Sequence, residues 1–244
     1  MERCDYVNDS LKLIQKTEGL TFGTDALLLA GYIDGRYKQG CELGAGSGII
    51  SMLLLTRSKL DVCRALEVQQ EYAALTEKNA ELNGLTDRLK TICSDIRDYK
   101  SEATFDLVFT NPPYMKCDSG KACNLDKKNV ARHEVHGGIG DFMAAARRLL
   151  KFGGTFAAVY RPDRLCDLLF EMRSSGIEPK RITFVHADCV SESSMALVEG
   201  KRGGRSGMML TPPLIIYSDS THSEYSDDMK YIMENGVFPK KYKR

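Results

Sequence analysis

No run in this 244-residue chain is long and apolar enough to cross a bilayer as a helix. The longest, IISMLLL (Ile49 to Leu55), falls far short of the roughly 20 residues a span requires. The opening MERCDYVNDSLKLIQ has no basic head followed by an apolar stretch, so no signal peptide is expected and the expected location is the cytoplasm. An excess of charge of one sign is also missing. The 34 Lys and Arg against 33 Asp and Glu leave a formal +1, which argues neither for nor against a polyanionic partner. The eight cysteines contain no CxxC pair, and Cys41, Cys63 and Cys93 fall in expected core elements, where a thiol is a small apolar group. They read as reduced cytosolic thiols. Cys117, Cys123, His133 and His136 lack the tight paired spacing of a zinc knuckle, so no metal is expected. Internal repeats and low-complexity linkers are absent too.

What is present is alternation. QGCELGAG (Gln39 to Gly46) reads as a short buried strand running into glycines, IISMLLLTRS as a helix, and DVCRALEV (Asp61 to Val68) as a second strand. QEYAALTEKNAELNGL is an amphipathic helix with Tyr72, Leu75 and Leu82 on one face and Asn83-Gly84 as its stop. RLKTICSDI and FDLVFT are strands three and four. DFMAAARRLLKFGG is a helix closed by Gly153-Gly154, TFAAVY a fifth strand, RPDRLCDLLFEMRSSGI a helix, and RITFVH and MALVEG two further strands. Strict alternation with near-continuous apolar strands predicts a parallel α/β sheet covered by helices on both faces. The expected organisation is an N-terminal extension over 1–38, one main domain over 39–217 and a tail over 218–244.

GAGSG (Gly44 to Gly48) follows the first strand and opens the first helix of the domain, where backbone approaches a ligand and N–H donors are unpaired. The next strand ends at Glu67, placed to accept both hydroxyl protons of a ribose. Two ligands compete. A nicotinamide dinucleotide prefers GxGxxG, but Ile49 follows Gly48 here, and Glu42 beside the turn would repel a diphosphate. S-adenosylmethionine has a ribose and an adenine, no phosphate, and two cationic groups. Glu42, Glu67 and Asp95, at three successive strand ends, form an expected anionic rim at the carboxyl edge, which favours the cationic cofactor.

On the same edge the fourth strand stops at Asn111-Pro112-Pro113-Tyr114. Two prolines lock the backbone and remove two donors. An asparagine oxygen and a neighbouring proline carbonyl can both accept from one –NH2 group. A planar exocyclic amine is a poor nucleophile because its lone pair is delocalised into the ring. Two acceptors on its protons favour a pyramidal nitrogen, and Tyr114 offers a stacking face worth about 1–3 kcal/mol.

ELGAGSG, ALEVQ, CSDI and FDLVFTNPPY together resemble the class I methyltransferases that act on amine nitrogens. FGTDALLLAGY before the glycine turn, and ARHE (Ala131 to Glu134) after NPPY, resemble the bacterial tRNA1(Val) adenine-N6 methyltransferases, which modify adenine 37 beside the anticodon. The likeness runs from about Leu20 to Tyr217 and includes VEGKRGG (Val198 to Gly204). It implies a Rossmann-like, mostly parallel seven-stranded sheet with helices on both faces, a short N-terminal extension, and MALVEG antiparallel to the rest.

It also implies that Gly44 and Gly46 hold the methionine part of S-adenosylmethionine with Glu42 near its amino group, that Glu67 binds the ribose, and that Asp95 and Ile96 bracket the adenine. Asn111, Pro112 and Tyr114 would hold the target amine and base, with Asn111 also bordering the cofactor. Thr24 and Asp25 lie in a segment that covers the cofactor in related enzymes. Pro113, Arg132, Lys201, Arg202 and Arg205 are candidate substrate or RNA contacts, while Arg132, His133 and Glu134 equally suit pinning a loop. KCDSGKACN (Lys116 to Asn124) matches no required family pattern and lies where a substrate would enter. The basic clusters KRGGR (Lys201 to Arg205) and KKYKR (Lys240 to Arg244) suit either phosphate contacts or a solvated loop and tail.

The implied reaction is direct: the amine nitrogen attacks the sulfonium methyl, S-adenosylhomocysteine leaves, and the surplus proton departs to solvent. The implied partner is an RNA, best of all a tRNA, and the oligomeric state is open. Alternatives on the same motif are guanine N2 of ribosomal RNA and protein glutamine N5. The latter enzymes carry a helical N-terminal domain, for which the roughly 40 residues before the glycine turn are too few. A DNA adenine methyltransferase needs a target-recognition domain for which there is no obvious room. A non-catalytic RNA-binding protein on the same fold is the reading from another class, and an intact NPPY beside an intact glycine turn argues against it.

Overall fold

The structure, a computed structural model, describes residues 2–8, 11–17, 23–101, 104–112 and 138–243. Its centre is a sheet whose first strand, β3 (Tyr37–Leu43), pairs in parallel with β4 (Leu60–Glu67) on one side and β6 (Phe105–Thr110) on the other. β5 (Leu89–Cys93) continues in parallel beyond β4, and β7 (Leu150–Tyr160) beyond β6. β9 (Ser193–Arg202) then runs antiparallel between β7 and β8 (Ile177–His186), the reversal that the family resemblance implies. All seven expected strands are present. Two two-residue strands, β10 (Met209–Leu210) and β11 (Leu214–Ile215), extend the sheet in parallel beside β8.

Both faces are covered, which is why the central strands read as unbroken apolar runs. Successive residues of β7 point alternately to two cores: Ala157 and Val159 to one, Phe156 and Ala158 to the other. The first core is closed by α1 (Thr24–Tyr32) and α2 (Ile49–Thr56), with part of α3 (Gln70–Leu82). The second is closed by α4 (Ile139–Leu149) and α5 (Leu165–Ser174). α2 is buried from Ile49 through Leu55, so its run of leucines is a core helix.

Three sequence expectations change. α4 ends at Leu149, before Gly153-Gly154, because Leu150 already pairs with Phe105 and opens β7. The glycines serve an irregularity in the strand, where pairing resumes at Leu107 with Thr155. A Cβ at Gly154 would sit 2.9 Å from the Lys151 carbonyl oxygen, too close for any side chain. Ile177, expected to end a helix, opens β8 instead. On α3, Leu82 is 43% exposed, and the face shared by Tyr72 and Leu75 continues through buried Thr76, Asn79 and Ala80.

Asn79 of α3 and Asn83 just past its end grip an N-terminal hairpin, β1 (Glu2–Asn8) and β2 (Leu11–Lys16). The Ile14 N–H donates to Asn79 Oδ1 (2.7 Å) and Asn79 Nδ2 donates to the Ile14 carbonyl (3.0 Å); Asn83 repeats the pattern on Lys12. These amides give the edge strand β2 the partners it would otherwise lack.

The segment after Tyr217 is part of the core. Helix α6 (Asp227–Asn235) is capped by Ser226, whose Oγ accepts from the Met229 N–H, and buries Met229 and Ile232. Phe238 then stacks edge-on between Tyr32 and Tyr242, with centroids 5.4 Å apart in each case. Buried Arg181 lies 3.9 Å over the Tyr32 ring and donates to the carbonyls of Tyr32 and Tyr242 and to Glu199. In KKYKR, therefore, Tyr242 is fully buried, Lys241 pairs with Asp228 and Lys243 with Asp34. Tyr242→Ala is expected to lower stability by about 3–5 kcal/mol, the usual cost of emptying a large aromatic site. Denaturant unfolding measures it, and an unchanged midpoint would contradict the anchoring.

Candidate active site

Parallel pairing sets Leu43 opposite Leu66 and Glu42 opposite Phe109, so β3, β4 and β6 end at one level. The glycine turn is hung from that level by hydrogen bonds. The N–H groups of Gly44 and Ala45 both donate to the Leu66 carbonyl (2.9 and 3.0 Å), and the Gly46 N–H donates to Glu67 Oε2 (2.9 Å). Thr76 Oγ1 donates to the Gly46 carbonyl and Asn79 Nδ2 to the Ser47 carbonyl. Gly48 has φ +78, and a Cβ there would lie 2.6 Å from Thr76 Cγ2, so neither the conformation nor the space admits another residue.

The three expected carboxylates take different roles. Glu67, buried at the end of β4, accepts from Gly46 N–H with one oxygen and from Gln69 N–H (2.9 Å) with the other. Each carboxylate oxygen has a second lone pair, so Glu67 still has acceptor capacity for a ribose. Asp95 is set beside it by the Ser94 N–H, which donates to the Glu67 carbonyl (3.0 Å). Its carboxylate is paired with Arg97 (2.6 Å) and accepts from the Arg97 N–H (2.8 Å).

Glu42 departs from its expected place near an ammonium. It is 1% exposed beneath the turn and accepts from the Ser51 N–H (3.1 Å) and the Ser51 hydroxyl. Burial pushes its carboxyl up to about 8, opposed by the Ser51 bonds. The rim is thus carried by Glu67 and Asp95. The Ile96 side chain also departs from its expected place at an adenine: it turns into the second core, and its carbonyl accepts from Arg148 (2.6 Å).

The end of β6 meets the start of α1. Thr110 Oγ1 donates to the Leu43 carbonyl (2.7 Å), tying the last residue of β6 to the residue before the glycine turn. Next in the chain, Asn111 Nδ2 donates to Asp25 Oδ2 (2.7 Å), while Asp25 Oδ1 accepts from the Ala26 N–H (2.9 Å). Thr24 lies exposed beside Asp25, and Pro112 is buried. Pro113, Tyr114 and Arg132 lie outside the described residues, as do Cys117, Cys123, His133, Glu134 and His136. Among the described residues, no group of three or more His, Cys, Asp or Glu side chains is arranged to hold a metal ion, and no helix is long and apolar enough to cross a membrane.

Lys201, Arg202 and Arg205 are not brought to this edge. β9 is antiparallel: Ala196 faces Tyr160 at the carboxyl side, while Lys201 faces Thr155, midway along β7. The strand therefore carries the cluster to the amino edge, where Arg202 donates to the Leu150 carbonyl and the Arg205 carbonyl accepts from Lys180. Sequence reasoning also missed the supports Ser51, Thr76 and Asn79. Asn79 left a legible signal, a polar residue four positions after Leu75 on an apolar helix face.

A cofactor fits the edge on two counts. Among the described residues, a Cβ at Gly46 would meet nothing within 4 Å, and the side chains around the turn are acidic, which suits a cation better than a diphosphate. Reversed β9, the glycine turn after β3 and the acid closing β4 define a class I methyltransferase fold, whose cofactor is S-adenosylmethionine. The chain belongs to the methyltransferase small domain family, whose profile matches residues 17–166.

Relatives include the tRNA1(Val) (adenine(37)-N6)-methyltransferase of Phocaeicola vulgatus, 28% identical over 180 residues, with 73% of this chain and 76% of that protein covered. Its namesake in Bacteroides thetaiotaomicron is 30% identical over 144 residues, or 58% of this chain and 60% of that protein. Among solved structures, a predicted O-methyltransferase from Agrobacterium tumefaciens superposes with a TM-score of 0.71 at 21% identity, covering 88% of this chain and 98% of that one. An M. jannaschii protein solved in complex with AdoMet gives 0.57 at 15%, covering 82% and 84%. At these identities the two structures show the shared fold alone.

Because burial raises the Glu42 carboxyl to about 8 while an unfolded Glu releases its proton near 4.5, the contribution of Glu42 to stability is greatest below 4.5 and is lost as pH rises toward 8. Glu42→Gln removes that decline. The melting temperature of the variant is expected to gain on the parent from pH 5 to about pH 8 and to level off beyond it, read by thermal scans in matched buffers. A constant difference across that range would contradict a buried, proton-holding Glu42.

Proposed function

We propose that this chain transfers a methyl group from S-adenosylmethionine to N6 of an adenine in RNA, with position 37 of a tRNA anticodon loop as the substrate, in the cytoplasm. The observation that carries the reading is the Asn111 amide at the end of β6, one residue past the tie between Thr110 and Leu43 and on the edge that bears the glycine turn. The curated relatives named for adenine-37 methylation support the choice of substrate.

Glu67, Gly44, Gly46 and Asp95 are the residues that would hold S-adenosylmethionine, which supplies an electrophilic methyl when bound. The rest is alignment and acceptor placement by the chain itself. Asn111 Nδ2 is committed to a carboxylate, so its Oδ1 is the end that accepts from a target amine. Pro112, buried beside it, restricts the backbone so that this acceptor does not swing. A base in an anticodon loop is splayed out at less cost than one in a duplex, which suits a site at a sheet edge.

The test is to incubate the protein with labelled S-adenosylmethionine and unmodified tRNA, digest the RNA and identify the labelled nucleoside. N6-methyladenosine is expected. Label in guanosine, in protein, or nowhere despite cofactor binding would overturn the reading. Asn111→Ala is expected to lower turnover by about 10²–10³-fold, the usual loss for one oriented polar group at a reacting centre, with cofactor affinity retained. A variant with normal turnover would contradict the role of the amide.

A further inference from the structure

The bond between Asp25 and Asn111 joins two parts of the chain 86 residues apart, and it has a direction. A primary amide is ambiguous: either end can face a neighbour, and only the partner decides. An ionised carboxylate accepts and cannot donate. With Asp25 Oδ2 2.7 Å from it, the Asn111 nitrogen must face Asp25, and the amide oxygen is turned the other way. If the amide turned over, two oxygens would face each other across that distance, and a nitrogen would be presented to the incoming –NH2 group, donor against donor.

Asp25 is itself fixed. Its second oxygen accepts from the Ala26 N–H at the start of α1. That helix is held from behind by packing on α2 and α6 and by Lys59, whose Nζ donates to the carbonyls of Ala30, Gly31 and Ile33 at its end. Neither bond of Asp25 requires a ligand.

From this geometry we propose that Asp25 is a positioning residue for methyl transfer: it sets the Asn111 amide with its oxygen toward the substrate amine. This departs from the expectation that Asp25 serves the cofactor, and it rests on the adenine N6 reading of the site for its effect on rate, though not for the bond itself. Asp25→Asn separates the roles. Asn is isosteric and its Oδ1 can still accept from the Ala26 N–H, so a merely structural residue would tolerate the change. With its oxygen on the Ala26 N–H, however, the new side chain presents its –NH2 to Asn111, which draws the Asn111 oxygen toward position 25 and reverses the directional lock.

The expected result is a kcat for tRNA lower by about 100-fold in Asp25→Asn, as for a misplaced reacting group. The KM for tRNA, the affinity for S-adenosylhomocysteine by calorimetry and the melting temperature should stay at parent values. A second readout needs neither substrate nor cofactor. With ¹⁵N-labelled asparagine, the Asn111 side-chain amide protons should be slow to exchange in the parent and fast in Asp25→Ala. A parent protein whose Asn111 amide exchanges freely would overturn the proposal, as would Asp25→Asn turnover at the parent rate. Weakened S-adenosylhomocysteine binding with unchanged kcat would overturn it too, by assigning Asp25 to the cofactor. If the parent methylates no adenine while Asn111 is protected, the functional reading fails and the positioning bond stands.

Discussion

Parallel pairing of β3 with β4 on one side and β6 on the other is the constraint from which everything else hangs. It brings Leu43, Glu67 and Thr110 to one height, although they are scattered over nearly 70 residues of chain. The glycine turn, the acid that holds it and the asparagine beyond it then become neighbours without any long-range side-chain design. Among the described strands of this sheet, the reversed β9 alone breaks the pattern, and it carries its basic end away from the chemistry.

Beneath the turn lies a buried polar layer. Glu42, Ser51, Thr76 and Asn79 are all buried, and each finds a hydrogen-bond partner. Unpaired, any one of them would cost more than its bonds return. Paired, they fix a loop of glycines that has no side chains with which to fix itself. The same logic holds at α1, whose start reaches Asn111 while its end is bonded by Lys59 and covered by the C-terminal segment. Order at the site thus depends on Phe238 and Tyr242, which lie far from it in sequence and at the opposite end of that helix.

Much of this was legible in advance. Alternating elements and continuous apolar strands gave the sheet, and GAGSG, Glu67 and Asn111 fell on one edge because parallel strands all end on the same side. What stayed hidden depended on contacts between distant segments. Glu42 looked like a ligand because it stands just before the glycine turn; only the packing of α2 shows that Ser51 occupies it. Gly153-Gly154 looked like a helix stop, since close backbone approach inside a strand leaves the same letters as a cap. The tail over 218–244 ends in KKYKR, a cluster that in sequence suits phosphate contacts or solvent equally, yet Met229, Ile232, Phe238 and Tyr242 of that segment are buried. Asp25 drew attention through its motif, but its bond to Asn111 depends on where α1 is held.

The most direct measurement is a crystal structure with S-adenosylhomocysteine bound. The expected result is a ligand along the carboxyl edge, its ribose hydroxyls on Glu67, its amino-acid end over Gly44 and Gly46, and its sulfur directed toward Asn111. A ligand bound at the amino edge, or one that leaves Glu67 and Asn111 untouched, would contradict the claim that one sheet edge unites cofactor and amine.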